Sequence, residues 1–372
     1  MKIAIQAADL DNRRIDGTRV YLLNVLKNFG KLSPDDEFFI YHRKEFNPQL
    51  TPPNFGNYKI KMLGEARLWT QTKFALNIWR DKPDVLWMPM HNIPLARRKN
   101  LKTVATIHDL AFKNFPETFP QKDLSQLNLL TDWAVKKSDK IIAVSESTKR
   151  DILKFYPEIK EEKIKVIYHG FDSELFENSY PQELKNSVLE KYNLKEKNYL
   201  LYVGAIQPRK NLIVLIKAFE IFKKKNPSDL KLVLAGGKAW QWEETIEAAE
   251  KSFYKDDIIL TGSVPFAELP ILYNCAGIFI FPSLYEGFGI PILEVMASGA
   301  PVIVADNSSL SEVSGEAAQY FDADKPEELA EKISQVWNDK SLQEEMIAKG
   351  KKQLQKFSWE KCARETLEFF KN

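Results

Sequence analysis

A chain of 372 residues, 44% hydrophobic and with a net charge of +2, is long enough for two ordinary domains with sizeable cores. Its two cysteines, Cys275 and Cys362, lie far apart without metal-ligand spacing, which argues against a disulfide framework and for a reducing cytoplasm. No uncharged apolar stretch approaches the roughly 20 residues of a membrane span, and the opening MKIAIQAADLDNRR turns polar too early for a secretory leader.

In chain order, MKIAIQA, FFIYH, VLWMP, TVATIH, KIIAVS and IKVIYH read as buried parallel strands. Amphipathic helical patterns lie between them, as at 19–30 and 124–137. After a polar stretch at about 173–197, read as a linker and a short helix, the alternation restarts with YLLYVGAI, KLVLAGG, IILTGSV, GIFIFPS and APVIVAD. Two such series predict two Rossmann-like α/β domains, over 1–173 and 174–357. Residues 1–173 hold 29 Lys and Arg against 21 Asp and Glu, a net of +8, and the remainder nets −6. Such a basic half suits an anionic partner, a phospholipid surface or a phosphorylated acceptor, or is a set of solvated lysines. The stretch ARLWTQTKFALNIWR at 66–80 mixes aromatic and basic residues. It reads as a core-packed stripe in preference to an interfacial helix, and Arg97-Arg98-Lys99 is open between solvated loop and membrane contact.

Ligands of open α/β sheets bind beyond the carboxyl ends of the strands, so chemistry is expected there. No GxGxxG follows the first strand, which leaves a nicotinamide or flavin site unsupported. YLLYVGAI leads into Gln207-Pro208-Arg209-Lys210-Asn211 and then a helical stretch, with Asn211 as the expected N-cap. Two cations at a helix start make a diphosphate site, though basic surface turns are common. Small residues end the next two strands, Ala235-Gly236-Gly237 and Thr261-Gly262-Ser263, where a base or phosphate could approach the backbone or a tight turn could form. After GIFIFPS, Glu286 sits in a loop with Gly287 and Gly289. Pro291 places Glu294 in the first turn of a following helix. Alone, Glu286 could be a solvated loop charge and Glu294 a response to the helix dipole. Together they suit a sugar at each end of a diphosphate, Glu294 on a ribose and Glu286 on a transferred hexose. The four histidines, His42, His91, His108 and His169, show no metal-ligand spacing. Only His108, followed by Asp109 at a strand end, stands out, with His91 a weaker candidate for an acceptor cleft.

The Glu286-x7-Glu294 spacing within PSLYEGFGIPILEVMASGAPVI resembles the signature of retaining GT-B glycosyltransferases of family 4. The resemblance runs along nearly the whole chain, through TIHDLAF, VSESTKRDI, VIYHGFD, GAIQPRKNL, LAGGKAW, LYNCAGIFIFPS, SSLSEVSGEAAQYFD and FSWEKCARETLEFF. It implies two domains facing across a cleft, with a last helix at about 358–372 packing back on the first. It implies His108, Glu286, Arg209 and Lys210 as catalytic groups, His108 on a sugar hydroxyl and the two cations on the departing diphosphate. The implied donor site comprises Gly17, Gly204, Arg209, Lys210, Gly236, Gly287, Phe288, Gly289 and Glu294, with no metal and no further cofactor. Two departures stand out: Ala205 follows Gly204 where relatives often carry arginine, and Gly17-Thr18-Arg19 lacks a second glycine, so Arg19 becomes a possible extra phosphate contact.

The same likeness implies transfer of a hexose, mannose from GDP-mannose first and a UDP-sugar second, to a glycan or lipid-linked glycan in surface polysaccharide assembly. It implies no nucleic-acid partner and a cytoplasmic enzyme, peripheral at the inner face of the membrane through its N-terminal domain. A sugar-nucleotide epimerase or a non-catalytic GT-B subunit are the alternatives. The intact Arg209, Lys210, Glu286 and Glu294 set argues against both.

Overall fold

The computed structural model describes residues 1–12 and 15–371. It divides into two compact units: Met1–Asn114 with Gln121–Gly170 and Phe357–Asn372, and Phe115–Pro120 with Phe171–Lys356. The first unit carries β1 (Lys2–Gln6), β2 (Glu37–His42), β3 (Tyr58–Met62), β4 (Val85–Met88), β5 (Lys102–Ile107), β6 (Lys140–Ala143) and β7 (Ile164–Val166). They form one parallel sheet in the order β3-β2-β1-β4-β5-β6-β7. The second unit holds β8 (Tyr199–Val203), β9 (Lys231–Ala235), β10 (Ile258–Gly262), β11 (Ile278–Phe281), β12 (Val302–Ala305) and β13 (Ala318–Phe321). Its parallel sheet has the order β10-β9-β8-β11-β12-β13. Both are doubly wound α/β sheets, the class expected from the alternating pattern.

The central strands are continuous apolar runs because helices cover both faces of a parallel sheet. Ile3, Ala4 and Ile5 of β1 and Ile278, Phe279, Ile280 and Phe281 of β11 are all buried. The edge strands β3, β7, β10 and β13 have no such continuously buried run. β3 reads YKIKM, and its lysines suit an edge that must not recruit another strand.

The helix Trp359–Lys371 belongs to the first unit. Trp359, Cys362, Ala363, Thr366, Leu367 and Phe370 form its buried stripe at helical spacing. Phe370 meets Phe29 and Trp87, with ring centroids 5.9 Å from each. Lys102 and Lys140 donate to the carbonyls of Phe370 (3.1 Å) and Phe369 (2.9 Å), at the helix end that favours cations.

In the segment 66–80, Trp69 and Phe74 are buried and stacked, at 5.1 Å between centroids, as a core stripe requires. Leu68, Leu76 and Trp79 are instead 68%, 59% and 49% exposed. No helix of the described residues is long and apolar enough to cross a membrane.

Candidate active site

In the second unit β8, β9 and β10 run to one side and β11, β12 and β13 to the other. The order therefore reverses between β8 and β11, the position where such sheets bind ligands. Past β8 the chain makes a tight turn, Pro208–Lys210, before the helix Leu212–Lys225. The turn is sewn to the loop after β11, since Leu284 N–H donates to the Arg209 carbonyl at 2.9 Å. Asn211 is not the N-cap expected of it. It adopts a left-handed conformation (φ 56°), which asparagine tolerates, and makes no side-chain cap. Its amide donates instead to the carbonyls of Pro282 (3.2 Å) and Ala323 (2.8 Å).

This stitching carries both cations to one carboxylate. The ammonium of Lys210 donates to Glu286 Oε1, and the Arg209 guanidinium lies 3.1 Å from Oε2. Lys210 and Glu286 are buried and Arg209 is largely so, and Arg209 also donates to the Tyr285 carbonyl. Burial by itself raises the Glu286 carboxyl, but Arg209 and Lys210 more than reverse this and hold it at about 2. Glu286 is thus a permanently ionised acceptor, and it is no solvated loop charge.

The loop after Glu286 is fixed from the far side by two serines. Ser308 Oγ accepts from Glu286 N–H at 3.0 Å. Ser309 Oγ lies 2.9 Å from the carbonyls of both Glu286 and Phe288, to which it donates. Phe288 is buried, and Gly287 sits between these anchored carbonyls. Gly289 turns the chain at φ 100°, a conformation that a side chain strains, and the helix Ile290–Ala297 begins. Glu294 is its fifth residue, one step beyond the first turn in which the Pro291 rule placed it. Burial raises its carboxyl to about 7, against one hydrogen bond from the Tyr273 hydroxyl at 3.1 Å; Asp172 pushes the same way as burial. The two glutamates therefore have opposite electrostatics within one structural segment.

Gly236 follows β9, and a Cβ there would lie 1.8 Å from the Gly204 carbonyl oxygen. The two glycines let the ends of β8 and β9 close together, with Gly204 N–H donating to Ala235 O at 2.9 Å. This packing requirement accounts for Gly236 without a ligand.

His108 and Gly17 belong to the first unit. His108 directly follows β5, and its Nε2 lies 2.8 Å from the Pro89 carbonyl. That carbonyl can only accept, so Nε2 carries the proton and Nδ1 is an acceptor. Burial drives the ring down to about 4, and it is neutral at physiological pH. Gly17 is not a free loop residue; it is the first residue of the helix Gly17–Leu32, capped by Asp16. Arg19 is engaged by protein carboxylates, ion-paired to Asp16 and 3.9 Å from Asp9, and its Nε donates to the Asp9 carbonyl at 3.1 Å.

Two family models cover the chain, "Glycosyltransferase Family 4" over residues 17–175 and "Glycosyl transferases group 1" over residues 185–353. O-antigen chain mannosyltransferase B of Escherichia coli is 30% identical over 270 residues, 73% of this chain and 70% of that protein. The chain belongs to the family 4, group 1 glycosyltransferases. This glycosyltransferase is also 29% identical over 288 residues to the serotype-specific mannosyltransferase WbdA of Escherichia coli. That match takes in 76% of this chain but only 34% of WbdA, about a third of its length. Among solved structures, Anabaena Alr3699/HepE, crystallised in complex with UDP and glucose, superposes with a TM-score of 0.77 at 16% identity over 100% of both chains. The fold of this glycosyltransferase is GT-B.

Three residues of the assembled site escaped sequence reasoning: Tyr273 on Glu294, and Ser308 and Ser309 on the Glu286 loop. The serines lie within SSLSEVSGEAAQYFD, a run that marks the family but carries no charge pattern pointing to the site.

Proposed function

We propose that this enzyme transfers a mannosyl residue from GDP-mannose to a hydroxyl of a glycan or lipid-linked glycan in surface polysaccharide synthesis, with retention of configuration. The observation that carries the reading is the Arg209–Lys210–Glu286 cluster at the β8/β11 reversal. It is a cationic, pre-organised place for a diphosphate beside an ionised acceptor for sugar hydroxyls. The mannosyl assignment rests on likeness to mannosyltransferases. A UDP-sugar is the second reading, favoured by the UDP and glucose of the HepE complex.

The acceptor oxygen attacks the anomeric carbon on the face from which the diphosphate departs, and the leaving phosphate oxygen takes the acceptor proton. The carbon–oxygen bond to the diphosphate breaks as the new glycosidic bond forms. Arg209 and Lys210 stabilise the charge that accumulates on the diphosphate, Glu286 accepts from hexose hydroxyls and Glu294 from the ribose. His108 Nδ1 accepts a hydroxyl of the transferred sugar. The glycines Gly17, Gly204, Gly287 and Gly289, with Gly236 and Phe288, complete the donor site.

A thermal-shift panel of GDP, UDP, ADP and their sugars, with and without Mg²⁺, tests the donor. A nucleotide at about 100 times its Kd adds roughly 2.7 kcal/mol. GDP and GDP-mannose are expected to stabilise alone. Stabilisation by UDP compounds only overturns the mannosyl reading, and no shift at all overturns the diphosphate site.

The exposed Leu68, Leu76 and Trp79, with the exposed Arg67 and Arg80, support peripheral contact with an anionic membrane. The protein is expected to sediment with vesicles containing phosphatidylglycerol, to be released by high salt, and to lose binding in Trp79→Ala. Equal recovery with and without vesicles argues against that contact.

A further inference from the structure

Ser308 has a φ of 48°, in the left-handed region that favours glycine. Lys82 has a similar φ because it closes the helix Lys73–Asp81, an ordinary use of that conformation. Ser308 closes no helix. It follows β12 in a turn that Leu310 N–H completes onto the Asn307 carbonyl at 3.1 Å, just before the helix Leu310–Ser314. Glycine supplies a positive φ in a turn at no steric cost, whereas serine strains there. What serine adds at this position is a hydroxyl.

That hydroxyl has two partners. It accepts from Glu286 N–H at 3.0 Å and donates to Asn307 Oδ1 at 2.9 Å. The Asn307 amide donates in turn to the Ser283 carbonyl at 3.0 Å, so the turn after β12 grips the loop after β11 at two points. Ser309, fully buried, takes the other side of Glu286 by donating to its carbonyl at 2.9 Å. The peptide groups before and after the Glu286 Cα are thus both held, the N–H by one serine and the C=O by the next. Peptide groups are rigid planes, so fixing both leaves the side chain between them one direction of departure. Along that direction the carboxylate meets Lys210 and lies 3.1 Å from Arg209. Asn211, with a φ of 56°, serves the cations in the same way, because its amide anchors their turn to the carbonyls of Pro282 and Ala323. Strained residues that their surroundings hold in place cluster where geometry serves function.

We propose that Ser308 is a positioning residue of the transfer reaction: its hydroxyl, held in a strained turn, sets the Glu286 carboxylate where it accepts from hydroxyls of the donor hexose. The assignment rests on the reading of Glu286 as the hexose acceptor and goes beyond it in naming the group that sets its place.

Calorimetric titration of the full chain with GDP, GDP-mannose, UDP and UDP-glucose, beside thermal melts, tests it through two contrasting substitutions. The quantity read is the affinity of each nucleotide sugar relative to its nucleoside diphosphate. Ser308→Gly removes the hydroxyl and relaxes the turn. The lost hydrogen bond and the relieved strain offset each other, so the melting temperature is expected to stay within about 2 °C of the wild type. The relative affinity for the nucleotide sugar is expected to fall about tenfold, as for a lost hydrogen bond to a charged group. Ser308→Thr keeps the hydroxyl but puts a β-branched residue at a positive φ. It is expected to melt lower and to keep the relative affinity of the wild type. A merely structural serine gives the opposite ranking, because affinity would then follow stability. Unchanged relative affinity in Ser308→Gly overturns the proposal, as does a ranking that follows the melting temperatures. If Ser308→Thr does not fold, Ser308→Gly decides alone. Glu286→Gln separates the two readings. Relative affinity lost in Glu286→Gln but kept in Ser308→Gly is failure of this assignment only. Relative affinity kept in Glu286→Gln is failure of the hexose reading of Glu286, and the role of Ser308 falls with it.

Discussion

Lys210→Ala is expected to lower turnover by about 10²–10³ while the protein remains folded. The ammonium is one of two cations placed to stabilise a departing diphosphate, and removal of a single pre-organised charge donor from such a site typically costs that factor. Substrate binding before reaction draws on the same contact more weakly, because the charge on the bridging oxygen grows as the bond breaks. The larger effect should therefore fall on kcat, with a smaller one on the donor KM. Stability follows different logic. An isolated buried charge typically costs 3–5 kcal/mol, but Glu286 keeps Arg209 at 3.1 Å when Lys210 is gone. The loss of stability should remain below about 3 kcal/mol. Steady-state transfer assays and thermal melts on one preparation measure both. Near-normal turnover overturns the assignment of Lys210, and unfolding at room temperature shows that the cluster is chiefly structural.

The fold was readable because its central strands are unbroken apolar runs, a pattern that survives without any knowledge of partners. β3 and β13 were not, because lysines alternate with the apolar residues of β3 and a glutamine interrupts β13, AQYF, so neither contains an unbroken apolar run. Arg209, Lys210, Glu286 and Glu294 were recognisable by residue type and by position after strands. Their partners were not. Glu286 meets Lys210, 76 residues away, because β8 and β11 are neighbours, and that adjacency is a property of strand order that no local window contains. The same holds for Tyr273 and Glu294, and for Ser308 and Ser309 under the Glu286 loop. Asn211 shows the reverse error. A helix N-cap is the ordinary use of asparagine at that place, but here tertiary carbonyls compete for the amide and the left-handed backbone wins.

The opposite electrostatics of the two glutamates yield the second large effect. Glu294 titrates at about 7 when folded against an ordinary 4.5, so the folded state binds the extra proton between those values. A raised carboxyl contributes stability that is present in full below 4.5 and lost as pH rises through 7, on the order of 3 kcal/mol. Glu286, held at about 2, has the opposite sign, and its contribution is lost only as pH falls from 4.5 toward 2. His91, His108 and His169, each lowered by burial, favour the folded state as pH rises toward 6.5. Wild-type stability alone therefore mixes signs, and the difference from Glu294→Gln isolates one group. Glutamine copies the protonated acid and can still accept from Tyr273. The variant is expected to match the wild type near pH 4.5 and to exceed it by up to about 3 kcal/mol at pH 8, read by urea unfolding. Donor affinity should move the other way. Ribose hydroxyls donate best to an ionised carboxylate, so GDP binding should weaken as the wild type is acidified below 7 and should lose that dependence in Glu294→Gln. A variant with unchanged stability at pH 8 shows that Glu294 is ionised normally. A variant that binds GDP as tightly as the wild type at pH 8 removes Glu294 from the ribose and leaves its buried carboxyl to the packing against Tyr273.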